Sequence, residues 1–141
     1  MRGLLIVAGA ALMAGTAAGA QQPPVGYRAA NGLIYLGEYN SRDDFETGWL
    51  DSNTIRSGTD QIGRRQYKEG WVTWLKNDGS RSLTLYRFRC ENRTVTVASM
   101  TEYDSSNRVS YAYNQDEFIL QYQPATPGSA GFNVMRYVCG S

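Results

Sequence analysis

The stretch from Trp71 to Cys90 constrains this chain most. Trp71-Val72-Thr73-Trp74-Leu75 is aromatic and β-branched, the composition that packs well on a pleated surface. Asn77-Asp78-Gly79-Ser80 follows, and its Asp-Gly step supplies the positive φ that a tight hairpin needs. Ser82 to Cys90 then alternates. Leu83, Leu85, Arg87 and Arg89 share one face; Thr84, Tyr86, Phe88 and Cys90 share the other. The second set ends on a cysteine and is assigned to the core. The same period continues downstream. Glu91-Asn92 is a turn, and Arg93 to Tyr103 alternates with Val95, Val97 and Tyr103 on one side. Asp104-Ser105-Ser106-Asn107 is a loop. Val109, Tyr111 and Tyr113 then point one way, and Phe118, Leu120 and Tyr122 form a last run.

Upstream the pattern is weaker. Pro23-Pro24 and Gly26 make residues 21–31 an extended, loosely held lead-in. Leu33–Leu36 and Trp49–Asp51 read as brief strands, Asn40–Gly48 as a polar loop or helical turn, and Ser57–Asp60 as a turn. Gln61 to Tyr67 alternates weakly. After Pro124 and Pro127 the period changes to that of a helix. Ser129 can cap it, Ala130, Val134 and Val138 recur at four-residue spacing, and Gly140 can take the left-handed stop conformation. The fold class is α+β: an antiparallel sheet of about five to six strands with one C-terminal helix.

The first twenty residues read as an address. Arg2 precedes an 11-residue apolar run, Leu4 to Met13-Ala14, which is too short for the roughly 20 residues a span needs. Ala18-Gly19-Ala20 matches an A-x-A cleavage site, with Ala18 and Ala20 as its small residues. The expected division is a signal peptide over 1–20, the lead-in over 21–31 and a single domain over 32–141. The expected location is the periplasm or the medium, with no stable membrane insertion. In such an oxidising compartment Cys90 and Cys139, the only cysteines, are expected to pair. A bridge closing a loop of about 50 residues contributes roughly 4 kcal/mol on chain-entropy grounds. It would pin the tail helix to the strand ending at Cys90. The alternatives, a two-thiolate zinc site or a thiol nucleophile, both lack the histidine that would complete them.

Composition narrows function by exclusion. There are 14 Lys and Arg against 13 Asp and Glu, which leaves no field to draw in nucleic acid. The absence of His removes the commonest general base and metal ligand. No cofactor is expected. Asp43-Asp44 with Glu46 lacks the spacing of a calcium loop, and Asp116-Glu117 would point to opposite faces of a strand. Arg64-Arg65 with Lys68 is a small solvated cluster. The candidate binding surface is instead Arg87 and Arg89 on an outward sheet face, with Trp74, Tyr111 and Tyr113 as aromatic contacts. The plain alternative is that the two arginines merely solvate the sheet, paired with Glu102, and that Trp74 is core.

Several of these residues carry a resemblance. Trp71-Val72-Thr73-Trp74, the strand ending Tyr86-Arg87-Phe88-Arg89-Cys90-Glu91-Asn92-Arg93-Thr94, the Pro127-Gly128-Ser129 helix start and the final Val138-Cys139 are similar to the surface-adhesin protein E-like domain. Leu50-Asp51-Ser52 with Ile55-Arg56 and Gly58 resembles the start of that domain, so the likeness covers roughly residues 49–139. It implies an antiparallel sheet of about six strands with a C-terminal helix tied back by a disulfide. The best-known member is a surface lipoprotein that adheres to host matrix and plasma proteins and binds haem. This chain departs from it in lacking a lipobox cysteine and any histidine, so neither the lipid anchor nor the usual haem ligand carries over. The resulting expectation is an exported, non-enzymatic binding protein with a protein partner. A self-pairing structural or envelope-stress protein is the alternative, and a small exported hydrolase a third class.

Overall fold

The computed structural model describes residues 22–41 and 44–140. The expected alternation becomes one antiparallel sheet of eight strands. They are β1 (Leu33–Ser41), β2 (Asp44–Asp51), β3 (Arg56–Thr59), β4 (Gln66–Lys76), β5 (Arg81–Arg89), β6 (Thr94–Tyr103), β7 (Val109–Asn114) and β8 (Gln123–Pro124). The path runs β1-β2-β4-β5-β6-β8, with β3 also on β4 and β7 also on β6. Six strands are long, and β3 and β8 are short additions. β2 and β3 share one edge of β4, since β2 faces Val72–Lys76 and β3 faces Gln66–Glu69. β8 and β7 share β6 in the same way. The sheet curls, and the helix packs on its concave face.

Bulges decide which residues share a face. In β6 Ala98 is skipped between the pairs Leu85↔Ser99 and Tyr86↔Val97. Every residue beyond it changes side. Tyr103 therefore lies opposite Val95 and Val97, not beside them as expected, and Arg81 stacks over its ring at 4.1 Å. A second bulge, at Leu36, shifts the phase of β1 so that Tyr39 falls on the same face as Ile34 and Leu36 and packs against the core.

The core is Ile34, Leu36, Leu50, Val72, Trp74 and Phe88 under Val134, Met135 and Val138 of the tail. Helix α1 (Ala130–Met135) continues as a π-type turn, Arg136–Gly140. Ser129 caps it by accepting from the Phe132 N–H at 3.1 Å, and Gly140 takes the left-handed stop at φ 77°. Cys139 and Cys90 are bonded, with Cα atoms 5.6 Å apart. Asn133 adds a second tie: its amide donates to the Leu36 carbonyl at 2.7 Å and the Tyr39 hydroxyl at 3.0 Å. Gly70 makes room for this packing, because a Cβ there would meet Leu50 and Val138.

Four local expectations are corrected, and the hairpin turn at Asp78-Gly79 stands where the residues place it. Asn40–Ser41 and Asp44–Gly48 are strand, paired across the β1–β2 hairpin, not a loop or helical turn. Ser57–Thr59 is strand; the turn lies in residues 60–65, so β4 starts only at Gln66. The β4–β5 loop holds three residues, Asn77–Gly79, closed by Lys76 N–H donating to Ser80 O at 3.0 Å, with Gly79 at φ 89°. Phe118–Tyr122 is not a strand. Asp116 accepts from the Phe118 N–H and starts a 3₁₀ turn over Glu117–Ile119. The lead-in is held rather than loose: Gly26 donates to Tyr35 O at 2.8 Å and Tyr35 to Tyr27 O at 2.9 Å, covering the free edge of β1. The cleavage residues Ala18 and Ala20 lie outside the described residues.

Candidate functional site

The five residues expected on a binding surface fall on two faces. Hairpin register sets Trp74 opposite Ser82, and Ser82 opposite Glu102. Tyr111 pairs with Glu102 and Tyr113 with Met100. Trp74, Tyr111 and Tyr113 therefore lie on the concave face, and Arg87 and Arg89 on the convex one.

The convex face is covered over Arg87 and Arg89. The segments 60–65 and 115–122 fold across it, joined where the Gln61 N–H donates to the Glu117 carboxylate at 3.0 Å. Beneath them Arg87 reaches Glu69 at 2.9 Å and lies 4.1 Å over the Tyr67 ring. Arg89 reaches Asp60 at 2.7 Å and lies 4.1 Å over Tyr122. Arg56 is the second partner of Glu69. The Arg87 and Arg89 side chains are only 14% and 13% exposed, so the expected outward arginine face is corrected to a sequestered one. Their partners are Glu69 and Asp60; Glu102 is on the other side of the sheet. A sequence signal existed for Glu69, since it and Arg87 stand symmetrically about Asp78 in the hairpin. Burial pushes the Tyr122 phenol up, against the pull of Arg89 and Arg87.

The concave face is covered at one end only. The helix and disulfide cover Phe88 and Leu50 at one end, with a separate pocket of about 320 Å³ at the β3–β4 edge beside Cys90, and the other end stays open as a groove of about 280 Å³. Trp74, Ser82 and Thr84 form its floor; Tyr39, Tyr86 and Met100 are its walls; Glu46, Lys76 and Glu102 bring charge. Gly48 is why Trp74 lies here: the indole crosses its Cα so closely that any Cβ would collide with the ring. Tyr39 meets that ring edge-on at 5.5 Å. Trp74 is itself mostly buried, a floor rather than a protruding contact. Tyr86 is pushed up to about 12, by burial first, with the Glu46 and Tyr39 charges adding to the rise and Trp74 opposing it.

Beside the groove β7 is a bare strand. Val109 and Tyr111 are 60% and 50% exposed, while the Tyr113 hydroxyl turns inward to donate to the Val97 carbonyl at 3.2 Å. Val109–Asn114 carries no charge. The acidic pairs read in the sequence have local duties: Asp116 caps the 3₁₀ turn and Glu117 joins the two covering segments. Asp43 lies outside the described residues. Among the described residues no helix is long and apolar enough to cross a membrane. No family model, curated protein or solved structure matches the chain.

Proposed function

We propose that the chain is an exported, non-enzymatic binding protein that takes its ligand on the open end of the concave face. The observation that carries this reading is the incomplete cover of the sheet: the tail helix closes one end and leaves a groove floored by an indole and two hydroxyls at the other. A disulfide between the only two cysteines supports export to an oxidising compartment, by way of the signal peptide read over residues 1–20. The curled antiparallel sheet with a tethered helix supports kinship with surface-adhesin protein E-like domains, and so an adhesin-like role in the envelope.

Two arguments favour binding over catalysis. Glu46 and Glu102 are not cross-strand neighbours: β4 and β5 lie between their strands, a separation of about 14 Å at the backbone. The groups whose pKa the fold moves all go away from neutrality. Tyr35, Tyr86 and Tyr122 rise, chiefly by burial. Asp78 falls through hydrogen bonding from Ser80, and Arg56 rises through its hydrogen bond to Glu69. General acid–base work needs the opposite.

The test is a biosensor panel of purified matrix proteins and envelope components with wild type, Met100→Trp and the double variant Arg87→Gln/Arg89→Gln. Met100→Trp fills the groove and abolishes the interaction; the double variant keeps it as long as it folds. Loss in the double variant alone, in folded protein, contradicts the proposal. A second reading, self-association, is favoured by the bare β7 edge. It predicts a dimer by light scattering that Ala112→Pro dissolves.

A further inference from the structure

We propose that the groove receives an organic cation, an alkylammonium or guanidinium group, against the rings of Tyr39, Trp74 and Tyr86, with Glu46 and Glu102 as counter-charges. This rests on the groove being the binding site. Cations are drawn to the negative faces of aromatic rings, most strongly to indole, and more so where water is thinned out. Three rings, the soft sulfur of Met100 and two carboxylates suit a small cationic headgroup, and a volume of about 280 Å³ admits one.

Charge points the same way. Two carboxylates face one ammonium, Lys76, across the groove. Lys76 is the cross-strand neighbour of Glu46, yet among the described residues no ion pair joins Lys76 to Glu46 or to Glu102. The convex face is the control within the same molecule, because there Glu69 and Asp60 are both held by arginine. The groove therefore keeps a net charge of −1 from these three groups, and Lys76 is a resident competitor for its carboxylates. The cation arrives either as a free small molecule or as a side chain of a partner protein.

The probes are choline, the peptide Gly-Arg-Gly, acetate and glucose, titrated into full-length mature protein and followed through the Trp74 indole N–H by NMR. Choline or Gly-Arg-Gly moves that signal saturably, and the tighter of the two tells a free ligand from a partner's side chain. Glu102→Gln weakens the cation about threefold and Lys76→Gln tightens it about threefold, the Coulomb effect of one unit charge ~7 Å away at the dielectric of water. Both positions are partly exposed, so the variants keep their near-UV spectrum. The opposite sign for Lys76→Gln overturns the proposal. Acetate or glucose moving Trp74 while both cations leave it still overturns the cation and keeps the groove. Four silent probes on a folded protein overturn both.

Discussion

The convex and concave faces of this sheet carry the same kinds of side chain and use them in opposite ways. Under the segments 60–65 and 115–122, Arg87 and Arg89 are bound to Glu69 and Asp60 and stacked on Tyr67 and Tyr122. In the open groove Glu46, Lys76 and Glu102 lie beside Tyr39, Trp74 and Tyr86 with no ion pair among them. Cover explains the difference. A charge taken out of water costs several kcal/mol unless it is paired, so a closed face must neutralise itself. An open groove keeps its charges hydrated and free to meet a ligand. Arginine on a strand is thus no guide to recognition until one knows what lies over it.

Removing the tether attacks the comparison at its root, because the tail helix is what makes one end of the concave face closed. Cys90→Ser with Cys139→Ser lowers unfolding free energy by about 4 kcal/mol in guanidinium titrations, and wild type with reductant falls to the same value. Equal stability with and without reductant would mean that the bridge holds nothing. Next in size is the closed face. Glu69→Ala strands Arg87 under cover and costs about 3 kcal/mol by the same titration.

Alkaline titration probes the groove wall. Tyr86 ionises near pH 12 in the fold against about 10 in the unfolded chain. Its contribution is complete below pH 10 and disappears as pH rises from 10 to 12, about 2–3 kcal/mol in all. Tyr86→Phe flattens that part of the stability–pH curve; an unchanged slope would show the phenol to be solvated. The smallest effect belongs to the open rim. Glu102→Gln changes stability by less than about 0.5 kcal/mol. A loss there as large as that for Glu69→Ala would erase the difference between the faces.

Much of this fold was legible in the sequence where local chemistry decides it. The Asp78-Gly79 turn, the alternation of Ser82–Cys90, the Ser129 cap and the cysteine pair all took the forms their residues favour. What escaped was long-range. Nothing near Ala98 announces a bulge, yet that bulge moves Tyr103 to the other face. Asp44–Gly48 is acidic and glycine-containing, and becomes a strand only because β1 and β4 flank it. The arginines looked exposed because their cover comes from two segments distant in the chain. The groove was the least readable feature, since Tyr39, Trp74, Tyr86 and Met100 sit on four strands and the close approach at Gly48 that seats the indole has no sequence mark.

The most direct test of the central claim is a map of where small probes land. Choline, acetate, glucose and phenol are titrated singly into isotope-labelled protein, reading the Trp74 indole N–H, the Met100 methyl and the Arg87 and Arg89 side-chain signals. The account predicts that every probe that binds moves Trp74 and Met100 and leaves both arginines in place. Shifts gathered on Arg87, Arg89 and Tyr122, with Trp74 and Met100 unmoved, would contradict it.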